Sequence, residues 1–162
     1  IELPAGKTLF IKTHERPPNA DPAIYVVRDG RAAVASLYQF ANRTIPLEDI
    51  ILGRTRFGTW ADHLRVWAPR TRANTLFLRY EDLVGDLQGS LDRLQREIGM
   101  AVLRRDLPSR DTIAGVDGRW VRRQSDWRDV LTEDHLALFY RVNGAAMAEY
   151  GYESRGMAGR AQ

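Results

Sequence analysis

The stretch IYVVRDGRAAVAS, residues 24–36, decides the fold. Residues 23–28 (AIYVVR) are apolar up to the arginine, the pattern of a parallel strand covered on both faces. Asp29 then caps a helix predicted over 30–42, with Val34, Leu37, Tyr38 and Ala41 at helical spacing. A strand that turns into a helix at Arg28-Asp29-Gly30 makes a phosphate cradle. Arg28 offers a planar fork of donors, Ser36 adds a hydroxyl, and the helix start leaves backbone N–H groups unpaired. The competing reading makes Arg28 a strand-end residue paired with Asp29 or a neighbouring carboxylate, and Ser36 a back-bond to the preceding turn.

Upstream, TLFIKT (8–13) reads as a short buried strand that closes at Lys12-Thr13-His14. The segment 15–22 (ERPPNADP) is turn-rich, because Pro17, Pro18 and Pro22 continue neither sheet nor helix. Downstream, a short helical stretch covers 47–53, and residues 57–68 carry Trp60, Leu64 and Trp67 along one face until Pro69. TLFLRY (75–80) is a further strand, 86–99 a helix closed by Gly99, and 133–149 a last helix. Residues 101–129, rich in charge, read as an extended loop, and the chain from Gly151 onward reads as frayed. Strand and helix alternate, so the fold class is α/β with a parallel sheet flanked by helices. One domain is expected over 1–153, followed by a flexible tail over 154–162.

Composition narrows the function. The 162 residues are 44% apolar, enough for a globular core, and no stretch is long enough to span a bilayer. With no cysteine there is neither a disulfide framework nor a thiolate metal site, so a cytoplasmic protein is expected. The net charge of +3 rests on arginine, Lys7 and Lys12 being the only lysines. Those arginines are scattered among 21 acidic residues with no basic helix, which argues against a nucleic-acid partner. His14, His63 and His135 have no ligand spacing, so no metal is expected. His63 is read as a buttress of the tryptophan face, and His135 as part of a polar helix start, TEDH.

Four segments, in order, resemble the sulfotransferases that use 3′-phosphoadenosine 5′-phosphosulfate (PAPS), a P-loop NTPase-like α/β family. Lys12-Thr13-His14 resembles that family's Lys-Thr-His. Arg28 through Ser36 resembles its 3′-phosphate motif. Gly58-Thr59-Trp60 with His63 and Trp67 resembles its Gly-Ser-Trp…His…Trp stretch, and Leu78-Arg79-Tyr80-Glu81-Asp82-Leu83 its strand ending in Tyr-Glu-Asp. The resemblance covers about residues 8–152. It implies that His14 is the catalytic base with Lys12 beside it, that Arg28 and Ser36 hold the 3′-phosphate, and that Tyr80 touches the adenine. The product would be 3′,5′-adenosine bisphosphate, and the acceptor a small molecule, glycan or lipid.

Two departures accompany it. The family's glycine-containing loop for the 5′-phosphosulfate does not occur in this sequence. The expectation is therefore a partial fold, the later part of a longer enzyme, inactive alone. Near the C-terminus, Asp126-Trp127-Arg128 matches the family's closing Asp-Trp-Lys, but the preceding glycines are replaced. Arg122 and Arg123 are then the expected 3′-phosphate clamps, with Arg119 an outside candidate. Two alternatives stand beside the transferase: a catalytically silent nucleotide-binding module, and a P-loop small-molecule kinase. The sequence leaves the oligomeric state open.

Overall fold

Strand β1 (Ala23–Val27) pairs in parallel with β2 (Thr75–Arg79), Tyr25 opposite Phe77 and Val27 opposite Arg79. These belong to a computed structural model that describes residues 11–17, 19–99, 101–116 and 126–152. Between the strands run α1 (Gly30–Phe40), α2 (Leu47–Ile51) and α3 (Trp60–Trp67). After β2 come α4 (Tyr80–Gly85), α5 (Leu87–Ile98), α6 (Arg110–Val116), a 3₁₀ turn at Trp127–Asp129 and α7 (Glu133–Glu149). A parallel pair needs a crossover, and the three intervening helices supply it. The α/β class with a parallel sheet flanked by helices is the one expected from the alternation of strand and helix.

The core lies where α7 crosses α1, α2 and α3. Phe139 and Met147 of α7 pack with Val34 and Ala35, Leu47, Ile50 and Ile51, and Leu64, all buried. Asn143 of α7 is fully buried yet satisfied: its Oδ1 accepts from the Ala61 amide at 3.0 Å and its Nδ2 donates to the Phe139 carbonyl. It thereby serves one of the unpaired amides at the start of α3, which Thr59 and Asp62 close with a reciprocal capping box. Thr132 and His135 cap α7 in the same way, and His135 Nε2 reaches Glu48 of α2.

Four differences from the sequence expectations have physical causes. Residues 11–13 of the expected 8–13 strand join no ladder, and Ile11 is 72% exposed. Residues 8–10 lie outside the described ones. Within the expected loop 101–129, Arg110–Val116 is helical, started by a Ser109 Oγ that accepts from the Thr112 amide. It buries nothing, so no apolar period announced it. Tyr80, expected as the last residue of the 75–80 strand, is instead the first of a helix over Tyr80–Gly85, for which Arg79 is the extended N-cap. Tyr152, expected in a fraying end, is buried, and its hydroxyl donates to Glu81 at 2.8 Å. The tail over 154–162 lies outside the described residues.

Gly30 shows how tightly α1 meets α7. A Cβ there would come within 2.8 Å of Phe139, 2.9 Å of Trp60 and 3.2 Å of the Met147 sulfur. Phe139 is fully buried and cannot swing away. Gly30→Ala is expected to destabilise the fold by about 1–3 kcal/mol, as overpacked cores do. Urea denaturation would read this as a lowered midpoint at unchanged slope.

Candidate functional site

The C-terminal ends of the two parallel strands deliver the first group of residues. Because Val27 sits opposite Arg79, the next residues, Arg28 and Tyr80, come out side by side. The Arg28 guanidinium lies over the Tyr80 ring, 4.6 Å from its centroid. No carboxylate pairs with Arg28 among the described residues. Asp29, the partner the competing reading gave it, is engaged by Arg31 instead. Arg31 Nε and Nη2 hold the two Asp29 oxygens at 3.0 and 2.6 Å, a bidentate fork. Its third nitrogen donates to the Tyr140 hydroxyl at 2.8 Å, and its plane lies 4.4 Å over Trp127. Burial works against the Arg31 charge, but the hydrogen bonds and charge of Asp29 outweigh it and keep the guanidinium protonated.

This pairing corrects one part of the cradle expectation. The Arg31 amide donates to Asp29 Oδ1 at 2.9 Å, and the Asp29 amide to Glu81 Oε1 at 2.9 Å. Two of the amides expected to face a phosphate are therefore already taken by carboxylates. Glu81 in turn accepts from Tyr152, whose ring carries the Arg79 guanidinium at 4.4 Å. Of the side chains named for the cradle, Arg28 lies at the strand's end over the Tyr80 ring, and Ser36 is exposed farther along α1.

A second group forms around His14. The segment 11–17 has no ladder, yet its carbonyls are served by side chains from elsewhere. His63 Nε2 approaches the His14 carbonyl oxygen at 3.3 Å, and Trp67 Nε1 donates to the Glu15 carbonyl at 3.0 Å. Further along, Arg72 Nη2 donates to the carbonyls of Asn19 and Asp21 at 3.0 and 2.7 Å. His63 and Trp67 are one turn apart on α3 and stack at an interplanar angle of 22°, so the histidine does buttress the tryptophan. The far side of His63 meets the Tyr25 hydroxyl, 2.8 Å from Nδ1. Burial pushes the Tyr25 phenol well above its ordinary range, leaving it a neutral donor.

The His14 ring itself stands edge-on to Phe57, centroids 5.6 Å apart. Its pKa is lowered, first by burial, then by the charges of Lys12 and Arg56, with Glu15 opposing. A lowered value keeps the imidazole neutral and able to take a proton near neutral pH. Lys12 is exposed two residues away. Arg122, Arg123 and Arg119 lie outside the described residues. Among the described residues no cluster of three metal-ligating side chains occurs. The sequence reading missed Tyr25, Arg31, Glu81, Arg72 and Tyr152. A polar hydroxyl inside the apolar run AIYVVR was the one available hint, for Tyr25.

With this geometry in place, comparison with known proteins is informative. The model of the sulfotransferase domain family matches residues 16–109. That stretch takes in Arg28, Ser36, His63 and Tyr80, and begins after His14. Sulfotransferase 2B1 of Rattus norvegicus is 34% identical over 87 residues, 47% of this chain and 26% of that protein. Sulfotransferase 4A1 of Mus musculus is 32% identical over 97 residues, 53% of this chain and 34% of that protein. The 3-alpha-hydroxysteroid sulfotransferase of Cavia porcellus is 30% identical over 87 residues, 47% of this chain and 30% of that protein. The chain thus spans about a quarter to a third of these curated relatives. The crystal structure of mouse sulfotransferase SULT7A1 complexed with PAP aligns with a TM-score of 0.58 at 19% identity, covering 81% of this chain and 64% of that one. The fold is therefore that of a sulfotransferase.

One consequence of the second group concerns stability. Burial lowers the His63 pKa below 6.5, against a smaller opposing pull from the His14 carbonyl. As pH falls through 6.5 the unfolded chain binds protons that the folded chain resists, so stability declines with acidification. The thermal midpoint should be lower at pH 5.5 than at pH 7.5. His63→Gln, which cannot titrate, should flatten part of that slope, His14 contributing the rest with the same sign. Identical slopes in both proteins would remove His63 as a source.

Proposed function

The chain belongs to the sulfotransferase domain family, and from that premise we propose that it is part of a PAPS-dependent sulfotransferase. In this reading a sulfuryl group moves from PAPS to a hydroxyl or amine of a small-molecule, glycan or lipid acceptor. The observation that carries the proposal is Arg28, set at a parallel strand's end against Tyr80 with its carboxylate neighbour occupied by Arg31. A guanidinium fork, a hydroxyl on the following helix and an aromatic face have the donor chemistry for a ribose phosphate and an adenine. Arg28 and Ser36 would bind the 3′-phosphate, and Tyr80 the base, with Arg122 and Arg123 as further clamps.

PAPS supplies an activated sulfuryl group on a phosphate leaving group. The chain's own contribution is positioning and charge. His14 takes the proton from the attacking hydroxyl or amine, a step for which its lowered pKa leaves it neutral. Lys12 adds positive charge on the same segment, where the sulfonate oxygens gain negative charge. Arginine and lysine carry the electrostatic work, with no metal invoked. The absence of cysteine supports a cytoplasmic setting. No helix among the described residues is long and apolar enough to cross a membrane.

The proposal separates binding from turnover. In the full-length protein, Arg28→Ala should weaken 3′,5′-adenosine bisphosphate binding by about 10–100-fold, the loss of a charged hydrogen bond. Unchanged affinity in calorimetry removes Arg28 from the site. His14→Ala should cut turnover by roughly 10²–10⁴-fold while that affinity persists. Turnover is read from labelled PAPS against a panel of a phenol, a hydroxysteroid and an amine. Equal losses of rate and affinity would contradict the assignment of His14 as base.

A further inference from the structure

We propose that His63 is a positioning residue for His14, holding the base's backbone as the neutral, Nε2-protonated imidazole that Tyr25 selects. This rests on the reading of His14 as base. A carbonyl oxygen only accepts, so the contact between His63 Nε2 and the His14 oxygen at 3.3 Å requires the hydrogen on Nε2. In a neutral ring Nδ1 is then an acceptor, and the Tyr25 hydroxyl stands 2.8 Å from it as donor. Tyr25 belongs to the packed sheet, so one end of this relay is fixed to β1. The other end is the residue that carries the base.

Trp67 completes the hold. Its indole donates to the next carbonyl, Glu15, at 3.0 Å, and its ring supports His63 by stacking. Consecutive carbonyls, at 14 and 15, are therefore pinned by side chains one turn apart on one helix. No ladder does this work for residues 11–17, so the His14 backbone depends on these donors. The groups facing His63 are Tyr25, Trp67 and the His14 segment, while Lys12, Arg56 and Glu15 supply the charges around His14. Burial disfavours the imidazolium at position 63, consistent with a ring that holds rather than exchanges protons.

The first test needs no variant. Nitrogen-15 spectra of the assigned His63 imidazole should show it neutral with Nε2 protonated and Nδ1 bare at pH 7.5. An Nδ1-protonated ring would overturn the proposal. The second test uses a pair of amides. Glutamine extends its nitrogen toward the Nε2 position, whereas asparagine ends near Nδ1. His63→Asn should lower kcat by about 10–100-fold, since an error of an ångström in a base's placement costs on that order. His63→Gln should recover to within about fivefold, and both should bind 3′,5′-adenosine bisphosphate as the parent does. Equal rates in the two variants, or an unmoved His14 resonance in His63→Asn, would overturn the positioning role. If His14→Ala kept full turnover, the base reading would fail while the His63 tautomer result stood on its own.

Discussion

Asp29 sits where a parallel strand must become a helix, and two arginines compete for its carboxylate. Arg31 takes it, with both oxygens in the fork and the helix amide on one of them. The geometry decides the contest: Arg31 lies on the first turn that Asp29 caps, whereas Arg28 leaves the strand on the side of Tyr80. A buried pair of this kind adds little net stability over an apolar replacement, yet losing one partner strands the other charge. Its consequence is therefore directional. With Asp29 engaged by Arg31, Arg28 has no carboxylate partner among the described residues and lies over Tyr80 instead. Glu81 reinforces the arrangement from β2's far end by holding the Asp29 amide.

The segment bearing His14 poses the opposite problem. Backbone without a ladder must find other donors for its carbonyls. Here α3 and the turn after it provide them through His63, Trp67 and Arg72, and the carbonyls at 14, 15, 19 and 21 are each met. Such side-chain donors fix position with less redundancy than a sheet. Each carbonyl has one named partner, so single residues matter more there than in β1.

How much of this was legible in the sequence follows from the kind of signal each feature leaves. AIYVVR and TLFLRY announced strands through their apolar runs, and their register then put Arg28 beside Tyr80, although the cover expected on both faces is incomplete, Val26 being 45% exposed. Trp60, Leu64 and Trp67 announced α3 through their spacing. The occupant of Asp29 was not legible, because Arg28 is its immediate neighbour and Arg31 lies only two residues away, so only the helix geometry separates them. Tyr152 and Glu81 are 71 positions apart, and no local pattern encodes that bond. TLFIKT misled for a related reason. Apolar β-rich residues mark a strand only where a neighbour offers pairing, and Ile11 has none of that cover. The short helix at Arg110–Val116 rests on a serine cap rather than an apolar face, so periodicity passed over it.

Strand β1 links the two groups, and its alternation explains why it can serve both. Tyr25 and Val27 point to the packed face, where Val27 is buried and Tyr25 meets His63 and Trp67. Val26 points to the other and is 45% exposed, and Arg28 follows where the chain leaves the sheet. One strand thus carries Tyr25, which meets His63 and Trp67, and leads directly into Arg28 over the Tyr80 ring. An error in the register of β1 would displace the Tyr25–His63 contact and the Arg28–Tyr80 stack together.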